Sequence, residues 1–421
     1  MGEDQDRRGR EDSIGRRLHE TISPPERALL VAAEAKNGGR RDSWDAASSL
    51  EELALLASTA GAQVVGRVVQ RLERPDPAYY VGRGKLQEIV SLRTTLGYDL
   101  VIFDDELSPV QQRNLERALQ VKVLDRTALI LDIFAQHART REGRLQVELA
   151  QHEYLLPRLR GQWSHLERLG GGIGTRGPGE TQLETDRRLI KRRIQHLRRE
   201  LEEVRQHRAL HRRRRAREGL PLVSLVGYTN AGKSTLMRAL SGADVLVADQ
   251  LFATLDPLTR RVRLPSGGFF LLTDTVGFIN KLPPQLVAAF RATLEELDEA
   301  DLLLHVIDIT HPRAAEQADA VEKTLAELGL QAKARIAVLN KVDRLQRKDG
   351  RPIAGLEEVT DLLPHLRSWQ PRAVLVSALR GWGLDELLQQ IEAALAQERR
   401  AALDGNRGTA AMTPARGRAS R

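Results

Sequence analysis

Gly227-Tyr228-Thr229-Asn230-Ala231-Gly232-Lys233-Ser234 is the stretch that decides the fold. It has the spacing GxxxxGK followed by Ser or Thr. It comes straight after an apolar run, Leu222-Val223-Ser224-Leu225-Val226, that reads as a buried strand. It leads into a helix predicted over Thr235–Leu240. Strand, glycine-rich turn and helix in that order make a cradle for nucleotide phosphates. Glycines let backbone N–H groups turn inward, and the helix N-terminus adds its positive end. In such a cradle Lys233 places a point charge between the β- and γ-phosphates, and the Ser234 hydroxyl ligates Mg2+.

Working downstream, strands are predicted at 269–273, 302–307, 335–339 and 373–376, with helices between them. With 222–226 they make a doubly wound α/β domain. Three further motifs follow three of these strands. Asp274-Thr275-Val276-Gly277 offers a carboxylate that can hold Mg2+ through water and a glycine N–H for the γ-phosphate. Asn340-Lys341-Val342-Asp343 offers a carboxylate that can accept from guanine N1–H and N2–H2; adenine has no matching donors. Lys341 can lie against the base face. Ser377-Ala378-Leu379 would bring its backbone to guanine O6. Ligands of doubly wound sheets bind at the carboxyl ends of the strands, where all four motifs fall.

These four motifs in this order resemble those of the G-domain GTPases. The resemblance implies GTP or GDP as ligand, Mg2+ as metal and GTP hydrolysis as reaction. The implied nucleotide contacts are Gly227 to Thr235, Phe252 to Thr254, Asp274 to Gly277, Asn340 to Asp343 and Ser377 to Leu379. The implied metal ligands are Ser234, Thr254 and Asp274, and the implied catalytic groups are Lys233, Thr254 and Gly277. Thr254 is chosen as the switch threonine from Phe252-Ala253-Thr254-Leu255-Asp256-Pro257, with Thr259 as second candidate. Many such enzymes carry a water-orienting Gln after the DxxG glycine; here Phe278 stands there. Hydrolysis by the isolated protein should therefore be slow and stimulated by a partner or ion. Asn230, three residues before Lys233, is the candidate holder of K+.

Upstream, Ala28–Ala32, Gln63–Val69, Leu100–Phe103 and Val121–Leu124 read as strands alternating with helices at 48–59, 84–95 and 108–119. That rhythm argues a small parallel α/β unit over 21–136. Residues 137–218 differ. A helix over about 142–168 carries Leu145, Leu149, Leu156 and Leu159. A second carries Leu183, Ile190, Ile194, Leu197, Leu201 and Val204 at seam spacing. Gly170–Gly179 between them cannot be helix. The expectation is a long antiparallel helical hairpin, with the G domain over 219–398 and disordered tails at 1–20 and 399–421.

Residues 187–217 hold fourteen Arg or Lys against three Glu, and the whole chain carries a formal +8. A basic arm suits the phosphates of RNA; a solvated coiled-coil face is the plainer reading. Arg176, Arg212, Arg213, Arg214 and Arg215 are the RNA-contact candidates. The chain has no cysteine, which excludes disulfides, thiolate zinc sites and cysteine nucleophiles. No apolar run is long enough to span a bilayer, and Met1–Asp12 lacks the apolar core of a signal peptide. A cytoplasmic monomer with no membrane partner is expected.

Several strings narrow the family. Gly170–Glu180 with Thr181–Arg188, Tyr79–Lys85, Phe103–Ser108 and Phe252–Pro257 closely resemble the HflX family over about residues 25–395. The resemblance implies a GTPase that binds the large (50S) ribosomal subunit and its rRNA. It also implies action on stalled or stressed ribosomes in splitting or rescue. An RNA-remodelling or RNA-modification-associated GTPase is the alternative, and a membrane or signalling adaptor that only binds GTP a third. The second would need another chemical centre and the third an anchor; the sequence offers neither.

Overall fold

The computed structural model describes residues 24–35, 45–159, 178–242, 251–252, 254–281, 297–347, 349–362 and 373–410. Two parallel-sheet units lie on either side of a helical arm in the chain. The first contains β1 (Arg27–Ala35), α1 (Ala46–Thr59), β2 (Gln63–Leu72), α2 (Arg83–Leu96), β3 (Leu100–Phe103), α3 (Pro109–Leu119), β4 (Lys122–Asp125) and α4 (Arg126–His137). Its sheet order is β2-β1-β3-β4, parallel throughout. Ala28 to Ala32 in β1 are all buried, as a strand covered on both faces requires. The start of α3 follows from local chemistry. Ser108 accepts from the Gln111 N–H, Gln111 answers on the Ser108 N–H, and Pro109 opens the helix.

The helix α4 is not among the elements read from sequence. It buries Leu129, Ile130, Leu131, Ile133 and Phe134 and exposes Asp132, Ala135 and Gln136, and so is an amphipathic helix with a broad apolar face. The arm follows as α5 (Arg141–Leu155) and α6 (Pro178–Glu218). The observed α5 helix ends at Leu155, short of the 168 expected, and residues 160–177 lie outside the described residues. Leu145, Leu149, Ile194 and Leu197 form the core between α5 and α6, with Leu156, Ile190, Leu201 and Val204 packed around it. These are seam residues chosen from spacing alone. Arg193–Glu148, Arg198–Glu153 and Arg141–Glu200 pair across the seam. Such half-exposed pairs contribute little each.

The second unit runs β5 (Leu222–Gly227), α7 (Lys233–Ser241), β6 (Leu258–Arg263), β7 (Phe269–Asp274), β8 (Leu302–Asp308), α8 (Ala314–Glu327), β9 (Arg335–Asn340), α9 (Leu356–Leu362), β10 (Val374–Leu375) and α10 (Leu384–Ala410). Its sheet order is β10-β9-β8-β5-β7-β6, parallel except for β6 against β7. Strand β6 is missing from the sequence reading because three of its six residues are arginine and it lies on the sheet edge. Helices α7 and α10 cover one face through Leu236, Met237, Leu387, Ile391 and Leu395. Helix α8 covers the other, with Val321 and Leu325 against Leu303. Helix α10 continues to Ala410, past the boundary expected at 399: Arg399 to Leu403 are good helix formers and extend it, and the helix runs on through Gly405 and Gly408. Residues 411–421, like 1–23, lie outside the described residues.

The two units are not independent cores. Leu50, Ile130 and Phe134 of the first share one cluster with Val226, Tyr228, Phe252, Val276 and Phe278 of the second. Phe134 meets Phe252 edge to face at a centroid distance of 4.7 Å.

Candidate functional site

The strands β5, β7, β9 and β10 end on the same edge of the second sheet, and their loops surround one cleft. Lining it are Thr229, Asn230, Gly232, Lys233, Ser234, Thr235, Phe252, Thr254, Thr275, Gly277, Asn340, Lys341, Asp343, Ala378 and Leu379. Each was singled out in sequence. The loop after β5 needs its glycines. Gly227 has φ +155°, and a Cβ there would come 2.3 Å from the Val306 carbonyl oxygen. Gly232, at φ +92°, passes so close to Asn340 that a Cβ would lie 2.3 Å from its Nδ2.

Lys233 opens α7 and is 6% exposed; its Nζ donates to the carbonyls of Gly227 (3.1 Å) and Tyr228 (3.0 Å). Burial pulls its ammonium down to about 8, with Asp274 opposing. The Asp274 carboxyl is held above its ordinary value by its own burial, against the pull of Lys233 and the hydroxyls of Ser234 and Thr254.

Three oxygens converge beside Lys233. Ser234 Oγ is 2.8 Å from Thr254 Oγ1 and 2.7 Å from Asp274 Oδ2, and Thr254 Oγ1 donates to the same oxygen at 3.1 Å. The other carboxylate oxygen, Asp274 Oδ1, is buried without a protein partner. One carboxylate, two hydroxyls and an unsatisfied oxygen fit a hard, oxygen-seeking cation such as Mg2+. Thr259, the second threonine candidate, is not here. It lies in β6 with its hydroxyl on Thr273, 2.9 Å away. Ala253 lies outside the described residues.

At the other end of the cleft, Asp343 Oδ1 accepts from Ser377 Oγ, and Lys341, at φ +67°, pairs with Asp308 at 2.7 Å. Asn340 is 1% exposed and both ends of its amide are engaged. Its Nδ2 donates to the Ala231 carbonyl and its Oδ1 accepts from the Ala378 N–H. It braces the β5 loop to the β10 loop. Tyr228, Ala231, Val276 and Val342 turn their side chains into the core, so only their backbone belongs to the site. Phe278 is likewise core, 3% exposed. Its backbone bridges the β5 loop: Thr229 N–H donates to Phe278 O, and Phe278 N–H to Gly227 O.

Several neighbours of the site went unread in sequence. Arg238 and Arg344 line the cleft. Arg238 is one helical turn beyond Ser234, a spacing that could have found it. The first α/β unit also reaches in. Tyr228 Oη donates to Glu52 and accepts from the Asn280 N–H. Glu52 pairs with Arg126, Arg126 with Asp104 (2.8 Å), and Asp104 with Lys281 (2.5 Å). Lys281 also pairs with Asp105 at 2.6 Å. Asp256 accepts from the N–H groups of Arg139 and Thr140 at 2.8 Å each. No local pattern announces contacts between such distant positions.

The arm presents Arg187, Arg188, Lys191 and Arg192 along a groove of α6. Arg176 lies outside the described residues. Arg212, Arg213, Arg214 and Arg215 fall within the α6 backbone, and their side chains are also outside them. Among the described residues, no group of three His, Asp or Glu could hold a metal, and no helix is long and apolar enough to cross a membrane.

Three family models match the chain in succession. One described as GTP-binding GTPase N-terminal covers residues 47–135, one described as GTP-binding GTPase Middle Region covers 137–215, and one described as 50S ribosome-binding GTPase covers 222–341. The chain is similar to a GTPase HflX of Caldanaerobacter subterraneus subsp. tengcongensis, 50% identical over 385 residues, with 91% of this chain and 84% of that protein covered. It is similar to a GTPase HflX of Escherichia coli, 48% identical over 349 residues, with 83% and 79% covered. Among solved structures, a GTP-binding protein from Sulfolobus solfataricus in complex with GDP is 26% identical, with a TM-score of 0.44 and 88% of this chain and 99% of that one covered.

Proposed function

The chain belongs to the HflX family of GTPases, and from that premise we propose that it is a cytoplasmic GTPase acting on the large (50S) ribosomal subunit. It binds guanine nucleotide and hydrolyses GTP, as members of its family do. The finer reading assigns each part of the cleft a role. Backbone N–H groups of 228–235 and Lys233 hold the phosphates. Ser234, Thr254 and Asp274 would hold Mg2+, which would supply positive charge to phosphate oxygens. The Gly277 N–H meets the γ-phosphate, and Asp343 selects guanine.

The observation that carries this assignment is the convergence of Ser234, Thr254 and Asp274 within 3.1 Å. The three come from a helix start, a loop and a strand end, and their meeting beside Lys233 supports a nucleotide-metal site. Thr254 is the one whose distance a γ-phosphate can alter, so it reports whether the nucleotide is a triphosphate.

Phe278 cannot orient water, and its ring is buried. Hydrolysis is accordingly slow in the isolated protein and is completed by a partner. The basic face of α6 supports RNA as that partner, because each phosphate neutralised releases counterions. Stalled or stressed ribosomes are the proposed target. Asn230, at the cleft, would hold K+ beside the phosphates; equal hydrolysis rates in K+ and Na+ would remove that part.

The test is GTP turnover in potassium buffer with and without purified 50S subunits and 70S ribosomes. Stimulation by 50S or 70S is expected. Turnover unchanged by either would discard the ribosome as activator and leave an RNA-remodelling partner to be sought.

A further inference from the structure

Asp256 stands two residues after Thr254, outside the cleft, with no place in the nucleotide reading. Its carboxylate is nevertheless fixed. One oxygen accepts from two successive N–H groups, of Arg139 and Thr140, at 2.8 Å each. The other accepts from the Thr140 hydroxyl. Thr140 is the N-cap of α5, and its Oγ1 also accepts from the Gly143 N–H at 3.0 Å. The carboxylate therefore faces the positive end of a fifteen-residue helix. The surroundings are shaped for it: a Cβ on Gly143 would lie 2.3 Å from Asp256 Oδ1, so a side chain there would push the carboxylate off.

Helix α5 is the first helix of the basic arm, and its core with α6 is the arm's seam. Two residues of chain reach at most about 7 Å, so a fixed Asp256 confines Thr254. Phe252, on the other side of Thr254, is pinned against Phe134. The threonine is thus suspended between two anchors, both in the N-terminal half.

We propose that Asp256 is a positioning residue for the GTPase reaction: seated on the first turn of α5, it holds Thr254 against Ser234 and Asp274 and makes the position of the helical arm felt at that threonine. The inference rests on the assignment of Thr254 to the metal-triphosphate site. It makes the arm a lever whose load is a polyanion at one end and a single hydroxyl at the other. Movement of α5 relative to the sheet would draw Thr254 away from the cation without touching the phosphate loop.

The test uses the full chain with fluorescent GDP and a non-hydrolysable fluorescent GTP analogue at fixed Mg2+. Asp256→Ala is expected to weaken the triphosphate analogue roughly tenfold while GDP stays within about twofold, since it frees Thr254, which matters to the triphosphate state alone. Thr140→Val, which alters only the arm's side of the contact, should shift the ratio the same way by less. Added to Thr254→Ala, Asp256→Ala should have no further effect. Equal losses for both nucleotides, or full additivity with Thr254→Ala, would overturn the proposal. If Thr254→Ala itself left the ratio unchanged, the threonine assignment would fall and the proposal with it. If Thr254→Ala changed the ratio and Asp256→Ala did not, the proposal alone would fall.

Discussion

The hydroxyl of Tyr228 donates to Glu52, so the second residue of the phosphate loop is bonded to helix α1 of the other α/β unit. Burial keeps the phenol well above its ordinary pKa and hence protonated, a donor to Glu52 while accepting from the Asn280 N–H. Glu52 then leads through Arg126 and Asp104 to Lys281. The phosphate loop and the segment after Gly277 are tied to the same buried charges.

Tyr228→Phe should therefore lower the unfolding midpoint, with a cost of about 1–3 kcal/mol for a buried acceptor left short of a donor. Urea unfolding of the full chain, followed by far-UV circular dichroism, measures it. A midpoint equal to that of the unsubstituted protein would mean Arg126 satisfies Glu52 unaided.

Nucleotide affinity should depend on pH through Lys233. Its ammonium titrates at about 8 because it is buried. The charged form is the one that binds phosphate, so affinity should be level below that value and fall above it, by up to about tenfold per pH unit. The sign for stability is opposite. Between about 8 and its ordinary value the unfolded chain holds the extra proton, so Lys233 disfavours folding less as pH rises. Fluorescent-GDP titrations from neutral to moderately alkaline pH check the first statement. Lys233→Ala should lose tight binding at every pH.

Asp343→Asn should cost guanine preference and admit xanthine nucleotide. The carboxylate that would face guanine N1–H and N2–H2 becomes an amide suited to a carbonyl. Competition of GTP, ATP and XTP for one fluorescent nucleotide reads this directly, and an unaltered selectivity order would remove Asp343 from base recognition.

Reversing the charge of Arg212, Arg213, Arg214 and Arg215 should weaken ribosome binding and flatten its salt dependence, by about 0.7–0.9 in log–log slope for each arginine that meets a phosphate. Free GTP affinity should not change. Co-sedimentation with 50S subunits over a range of KCl measures the slope. An unchanged slope would place those arginines in solvent.

Much of the candidate site was legible because its chemistry is local. Gly227 to Ser234 joins a strand end to a helix start, and the glycines, lysine and serine act within that span. The seam of the arm was legible for the same reason: Ile190, Ile194, Leu197 and Leu201 repeat at helical spacing, and the packed core follows them. Strand β6 was not, because it is an arginine-rich edge, and helix α4 was passed over although its buried Leu129, Ile130, Ile133 and Phe134 and exposed Asp132 and Gln136 fall at helical spacing.

By itself the sequence determined the parallel α/β units, the order of the four loops around the cleft and the residue types that line it. Tertiary structure decided which threonine meets Ser234 and Asp274: Thr254 and Thr259 are equivalent as residue types, but β6 pairing commits Thr259 to Thr273. It also decided that Asn340 is a brace and that the cleft is held from outside, by Glu52 on Tyr228 and by Thr140 on Asp256. Those partners are 176 and 116 residues apart. A hydrogen bond between such positions leaves no period or spacing along the chain, because it exists only once two separately formed units share a core.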